Sequence, residues 1–95
     1  MAAYVVVQID IHDSVAYERY KVLAPPSIAA YGGRYLARGG ATDPLEGGWD
    51  PARLVILEFP TMEAARAWWE SAEYAEAKAL RHAAAHSQMI AVQGL

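Results

Sequence analysis

From Ala3 to Ile11 the chain alternates as an extended strand does, with Val5, Val7, Ile9 and Ile11 on one face and Tyr4, Val6, Gln8 and Asp10 on the other. Both faces are apolar at their centre. Asp13 and Ser14 then supply N-cap chemistry for a helix through about Leu23, which places Tyr17, Tyr20 and Leu23 on one side. Pro25 and Pro26 are expected to interrupt it, with a short helix restarting at Ser27 and ending near Tyr31, where Gly32 or Gly33 can adopt the left-handed conformation. Arg34 to Arg38 reads as a second strand. Its pleat puts Arg34, Leu36 and Arg38 on one face and Tyr35 and Ala37 on the other. Leu54 to Phe59 is an unbroken apolar run, the third strand. The segment Gly39 to Arg53 between them is too long for a hairpin turn, and loops of that length are often functional. Thr61 caps a helix over MEAARAWWES and Ser71 a second over AEYAEAKALRHAAAH, before Met89 to Gln93 closes the chain as a fourth strand.

The order βαββαβ is the split-βαβ, ferredoxin-like pattern: an α+β domain with a four-stranded antiparallel sheet, spanning residues 1–95 as one unit. Its helices can cover one sheet face only, yet the first and third strands are apolar on both. The economical expectation is a homodimer whose two sheets face each other. A domain this small buries only about 60 to 65% of its unfolded surface, so a partner copy would help it. A net charge of −3 without a basic run argues against nucleic acid as a partner. Absent cysteine removes disulfides and thiol chemistry, and the N-terminal apolar stretch alternates and is too short to cross a membrane. A cytoplasmic protein without a membrane partner is the default expectation.

Several constellations carry candidate chemistry. Arg34 and Arg38 would share a face, with Glu58 on the neighbouring third strand as cross-strand partner. Such a group is either an ion pair protecting an edge or a fork for a carboxylate or enolate oxygen. Glu46, beside glycines and near Trp49 in the long loop, is a candidate general base or anchor, against the plainer reading of a loop salt bridge. Tyr4, Gln8 and Asp10 lie on the sheet face away from the helices and are candidates for lining an interfacial cavity. Trp68 and Trp69 point about 100° apart on a helix, so packing explains one of them, and Trp69 shares a side with Ala65. His82 and His86 stand four apart on the same expected helix, a spacing that can ligate a metal. No cysteine or carboxylate completes the set, so neither a metal nor a cofactor is expected. No phosphate loop, dinucleotide fingerprint or Ser-His-Asp order is present.

Tyr17 and Tyr20, the Gly-Gly-Arg-Tyr strand, Leu-Glu-Gly in the loop, Glu-Phe-Pro before the second helical region, and Ser-x-Glu-Tyr followed by Arg81 together resemble the family of domain of unknown function 1330. That family is a branch of the dimeric α/β-barrel superfamily. Ala72 stands where relatives commonly carry proline, which affects the helix start. The resemblance implies a ferredoxin-like dimer and adds Arg81 to the candidate ligand-binding residues, but it implies no settled reaction. The expectation is a homodimer that binds or transforms a small anionic or enolisable organic molecule without a metal. Arg34, Arg38, Tyr4, Gln8, Trp49 and Arg81 would line the site, and Glu46 or Glu58 would act as acid or base. A non-catalytic interaction module is the alternative. The superfamily's haem-degrading members suggest a third, in which Gln8, Trp68 and His82 would stand in for their amide, tryptophan and histidine.

Overall fold

The computed structural model describes residues 1–95. Seven elements follow in order: β1 (Ala3–Ile11), α1 (Ser14–Ala30), β2 (Arg34–Arg38), β3 (Leu54–Phe59), α2 (Met62–Glu70), α3 (Ala72–Ala84) and β4 (Ala85–Gln93). The strands form one antiparallel sheet in the order β2-β3-β1-β4. This is the ferredoxin-like βαββαβ arrangement, with its second helical region split at Ser71. That serine ends α2 and caps α3, its hydroxyl donating to the Trp68 carbonyl and accepting from the Tyr74 amide.

The β1 alternation settles which face meets the helices. Val5, Val7 and Ile9 are buried with Val55, Leu57 and Phe59 of β3 against Tyr17, Tyr20, Ala24 and Ile28 of α1, Trp68 of α2 and Tyr74 of α3. Tyr4, Val6 and Gln8, with Leu54, Ile56 and Glu58 opposite them on β3, occupy the helix-free face. On β4 that face continues through Ile90 and Val92, which sit opposite Val6 and Tyr4 and stay 67% and 51% exposed. An apolar strip therefore runs along a sheet face that no helix of the chain covers.

Three elements depart from the sequence expectation. First, α1 is continuous through Pro25 and Pro26. Proline lacks the N–H that would bond the carbonyl four residues back, so Pro25 leaves the Lys21 carbonyl unmatched. The Arg38 guanidinium supplies the missing donor, its Nη2 donating to Lys21 O at 2.9 Å. Val22, which Pro26 leaves in the same position, lies on the exposed face of α1, where water can serve its carbonyl. Second, α3 ends at Ala84 and β4 begins at Ala85, four residues before the expected start. His86 is thus on a strand, and the helical pairing of His82 with His86 does not exist.

Third, β2 carries a bulge at Leu36. Arg34 pairs with Glu58 and Tyr35 with Leu57, but the next pairs are Ala37 with Ile56 and Arg38 with Val55. One extra residue reverses the pleat. Arg34 and Arg38 consequently point to opposite faces: Arg34 to the helix-free face, Arg38 with Tyr35 towards α1. The shared arginine face read from strict alternation is wrong for this reason.

Candidate functional site

The charged group most deeply enclosed in the chain is Arg81, 2% exposed on the last turns of α3. Helical spacing sets it two turns after Tyr74 on the same face, and its Nε donates to the Tyr74 hydroxyl at 3.3 Å. That hydroxyl also meets the Tyr20 hydroxyl of α1 at 2.9 Å. Burial pushes the Tyr20 phenol far above its ordinary pKa, with Tyr74 adding to the effect, so that phenol stays neutral. Arg81 Nη1 donates to Ser87 Oγ on β4, and Nη2 lies 3.4 Å from His82 Nε2. No carboxylate answers the guanidinium. The ion pairs of the chain are Arg19–Glu76, Lys21–Glu18 and Arg34–Glu58, all elsewhere.

Arg81 forms the back of a cleft of about 410 Å³ between α2, the end of α3 and the β1–β4 side of the sheet. Val5, Trp68, Trp69 and Met89 provide its apolar walls, Ser87 and His82 the polar groups beside the arginine, and Arg66 and Glu70 of α2 a further charge of each sign on its lining. Trp68 is fixed on every side: its indole N–H donates to Ser27 Oγ at 3.1 Å, and its ring lies 4.1 Å from the Tyr74 ring and 5.3 Å from Phe59. Trp69, 41% exposed, forms the outer wall, with the Lys78 ammonium 3.8 Å from its ring centre. Desolvation, then the neighbouring Arg81 and Lys78 charges, hold the His82 imidazole below its ordinary pKa. The cleft thus offers a fixed cation, apolar walls and an uncharged imidazole that can accept a proton.

The other expected residues do not assemble there. Arg34 and Glu58 form the anticipated cross-strand ion pair, 2.7 Å on the helix-free face, with the Arg34 side chain 70% exposed. Glu46 lies in the exposed loop beside a shallow depression lined by Leu45, Trp49 and Leu54, apart from the Arg81 cleft. Trp49 folds over the helix-free face and its indole donates to the Gln8 side-chain carbonyl, which accounts for both of those residues together. Tyr4 lies half-buried between Glu58 and Val92. Arg38 is engaged with the α1 carbonyl and stacks on Tyr35, its guanidinium carbon 4.5 Å from the ring centre. The proposed acid or base residues are therefore on the opposite sheet face from Arg81.

The haem-type set is likewise divided. Gln8 points to the helix-free face and Trp68 to the helix side, so the two cannot flank one ligand. His86 instead stacks on His12, ring centres 5.1 Å apart, and no group of three metal-ligating side chains converges. Of the tryptophan pair, Trp68 rather than Trp69 is the core residue, joined to Ala65 by i,i+3 spacing. Sequence reasoning missed Ser87 as a neighbour of Arg81 because it ran α3 on to His86 and began the last strand at Met89, which left Ser87 between the two. The signal was present in the alternation of AHSQMIAVQ, which matches a strand better than a helix.

The family model for domain of unknown function DUF1330 matches residues 2–95. No protein of curated function matches the chain by sequence. Among solved structures, a protein of unknown function from Rhodopseudomonas palustris is similar at a TM-score of 0.80 and 20% identity, over 99% of this chain and 82% of that one. SnoaB, a cofactor-independent oxygenase from Streptomyces nogalater, gives 0.67 and 11%, over 99% and 93%. A dimeric ferredoxin-like protein of unknown function from Jannaschia gives 0.67 and 13%, over 99% and 100%. These likenesses concern the fold. No helix of the chain is long and apolar enough to cross a membrane.

Proposed function

The chain belongs to the DUF1330 family, whose description carries no activity, and from its geometry we propose that it binds a small organic anion in the Arg81 cleft. The observation that carries this reading is a guanidinium 2% exposed, with no carboxylate partner, at the back of a cleft of about 410 Å³. An unpaired buried charge costs several kcal/mol, and one that adjoins an open cleft is offset when a ligand carboxylate or enolate oxygen enters. Nη1 and Nη2 each carry a second N–H beyond those directed at Ser87 and His82, enough for two oxygens of such a group. Trp68, Trp69 and Met89 would hold its apolar body. His82 would take a proton from an enolisable ligand.

The same reading includes a homodimer formed through the helix-free face. Val6, Ile56, Ile90 and Val92 give it an apolar centre, and one solved protein of similar fold is described as dimeric. Native mass spectrometry of freshly purified protein, followed by denaturing extraction, tests both parts. A dimer carrying a small acidic adduct, absent from Arg81→Met, is expected. A dimer whose adduct is unchanged in Arg81→Met would remove Arg81 from the site, and a monomer would remove the sheet-to-sheet interface.

A further inference from the structure

On the other side of Trp68 and Met89 lies a second, smaller void, partly open to solvent and separate from the Arg81 cleft. It has a volume of about 10 Å³, room for a single water-sized occupant. Two guanidinium groups border it, Arg38 at the end of β2 and Arg53 just before β3, so the two arginines flank the long loop on either side. Arg53 Nε is the one buried side-chain polar atom in the chain without a hydrogen-bond partner. Its guanidinium carbon sits 5.4 Å from the Tyr17 ring centre, as that of Arg38 sits 4.5 Å from Tyr35.

Two guanidinium forks, the Lys21 ammonium and the Trp68 indole around the void can only donate, and the hydroxyls of Tyr17, Tyr20 and Tyr35 can donate or accept. Carboxylates, amides and imidazoles are missing from its lining. Lys21 is paired with Glu18, but neither Arg38 nor Arg53 has an acidic partner. Burial raises the Tyr35 phenol, and the charges of Arg38 and Arg53 pull it back. A buried N–H left unmade costs about 1 to 3 kcal/mol, and more when the group is charged. A water molecule could accept from both guanidinium groups but would bring no negative charge to Arg53, whose Nε is buried, whereas Arg38 is also open to solvent.

We propose that this void is a binding site for one monoatomic halide, chloride in ordinary solution, held by Arg53 Nε and the Arg38 guanidinium. The ion would join the two ends of the loop to α1, since Arg38 already reaches Lys21 and Arg53 lies on Tyr17. Gly39 fits this arrangement: its φ is +70°, and a Cβ there would run into the Arg53 guanidinium. The bulge at Leu36 is what brings Arg38 to this side at all.

The test uses crystals of the full chain soaked in sodium bromide, together with thermal melting in sodium chloride against sodium gluconate at matched ionic strength. One anomalous bromide peak within hydrogen-bonding distance of Arg53 Nε is expected. A gain in Tm that saturates with chloride, is reproduced by bromide and not by gluconate, and vanishes in Arg53→Gln should accompany it. Arg53→Lys, which keeps the charge and loses the Nε donor, should lose the gain as well. Ordered density without anomalous signal would identify a water and overturn the proposal. An equal gain in gluconate would show general screening and do the same, and a bromide peak without a chloride-specific Tm gain would mark an adventitious ion only.

Discussion

Arg81→Met separates a binding arginine from a structural one. The side chain is 2% exposed, and methionine nearly conserves its length and flexibility, so no large cavity opens. Three hydrogen bonds disappear, to Tyr74, Ser87 and, at 3.4 Å, His82, the first two at about 1.5 to 3 kcal/mol each for a charged donor. No partner is stranded: Tyr74 keeps Tyr20, Ser87 is half-buried and can turn to water, and His82 is exposed. Against that loss stands the release of an uncompensated buried cation, whose desolvation costs several kcal/mol. The opposing terms are of similar size, so stability should change by no more than about 1 kcal/mol in either direction. Urea unfolding followed by far-UV circular dichroism reads the change, and Tm should move by less than about 8 °C. Breaking a satisfied buried ion pair instead costs about 3 to 5 kcal/mol. A loss of that size would show that Arg81 holds the fold together and would remove the reason for assigning it to a ligand.

Other perturbations test separate parts of the structure. Gly33→Ala places a Cβ 2.6 Å from Phe59 Cε1 and 2.7 Å from Ile28 Cγ2, both buried, so overpacking should cost about 1 to 3 kcal/mol in the same unfolding assay. Ser27→Ala removes the acceptor of the buried Trp68 indole and should cost about 1 to 3 kcal/mol, with a change in near-UV circular dichroism from the loosened ring. His82 is held below its ordinary pKa, so the unfolded chain binds the proton more readily. Its contribution to stability is therefore full above about pH 6.5 and is lost as pH falls towards the lower folded value. Unfolding midpoints measured from pH 8 to 5 should show a decline that is shallower in His82→Asn, and identical slopes would refute it.

Much of the fold was legible because two periodicities dominate the chain. Alternation in β1 fixed both its faces, the apolar run LVILEF located β3, and Asp13, Thr61 and Ser71 were read correctly as helix caps, each accepting an amide three residues on. The helix-free apolar face followed from those faces alone. What failed was local rule-following where tertiary structure overrides it. A proline pair reads as a break, yet α1 runs on because a side chain from β2 fills the carbonyl that Pro25 vacates. A strand reads as strictly alternating, yet the Leu36 bulge turns Arg38 over to reach that carbonyl.

These two failures have one cause, and it redirects the functional argument. The bulge and the prolines are complementary: without the bulge Arg38 would face away from α1, and without Pro25 the Lys21 carbonyl would already be bonded within the helix. A pairing of this kind joins residues 17 apart in sequence and leaves no periodic trace. It also divides the arginines by role. Arg34 secures the sheet edge with Glu58, Arg38 completes α1, and Arg81 is the buried guanidinium beside the α2–α3 cleft. Its candidacy came from resemblance rather than from any local pattern, because a buried cation on an alanine-rich helix looks, in sequence, like any solvated arginine. Only the packing of Tyr20 and Tyr74 around it, with no carboxylate paired to it, distinguishes it from a solvated arginine and makes it the candidate for an anion.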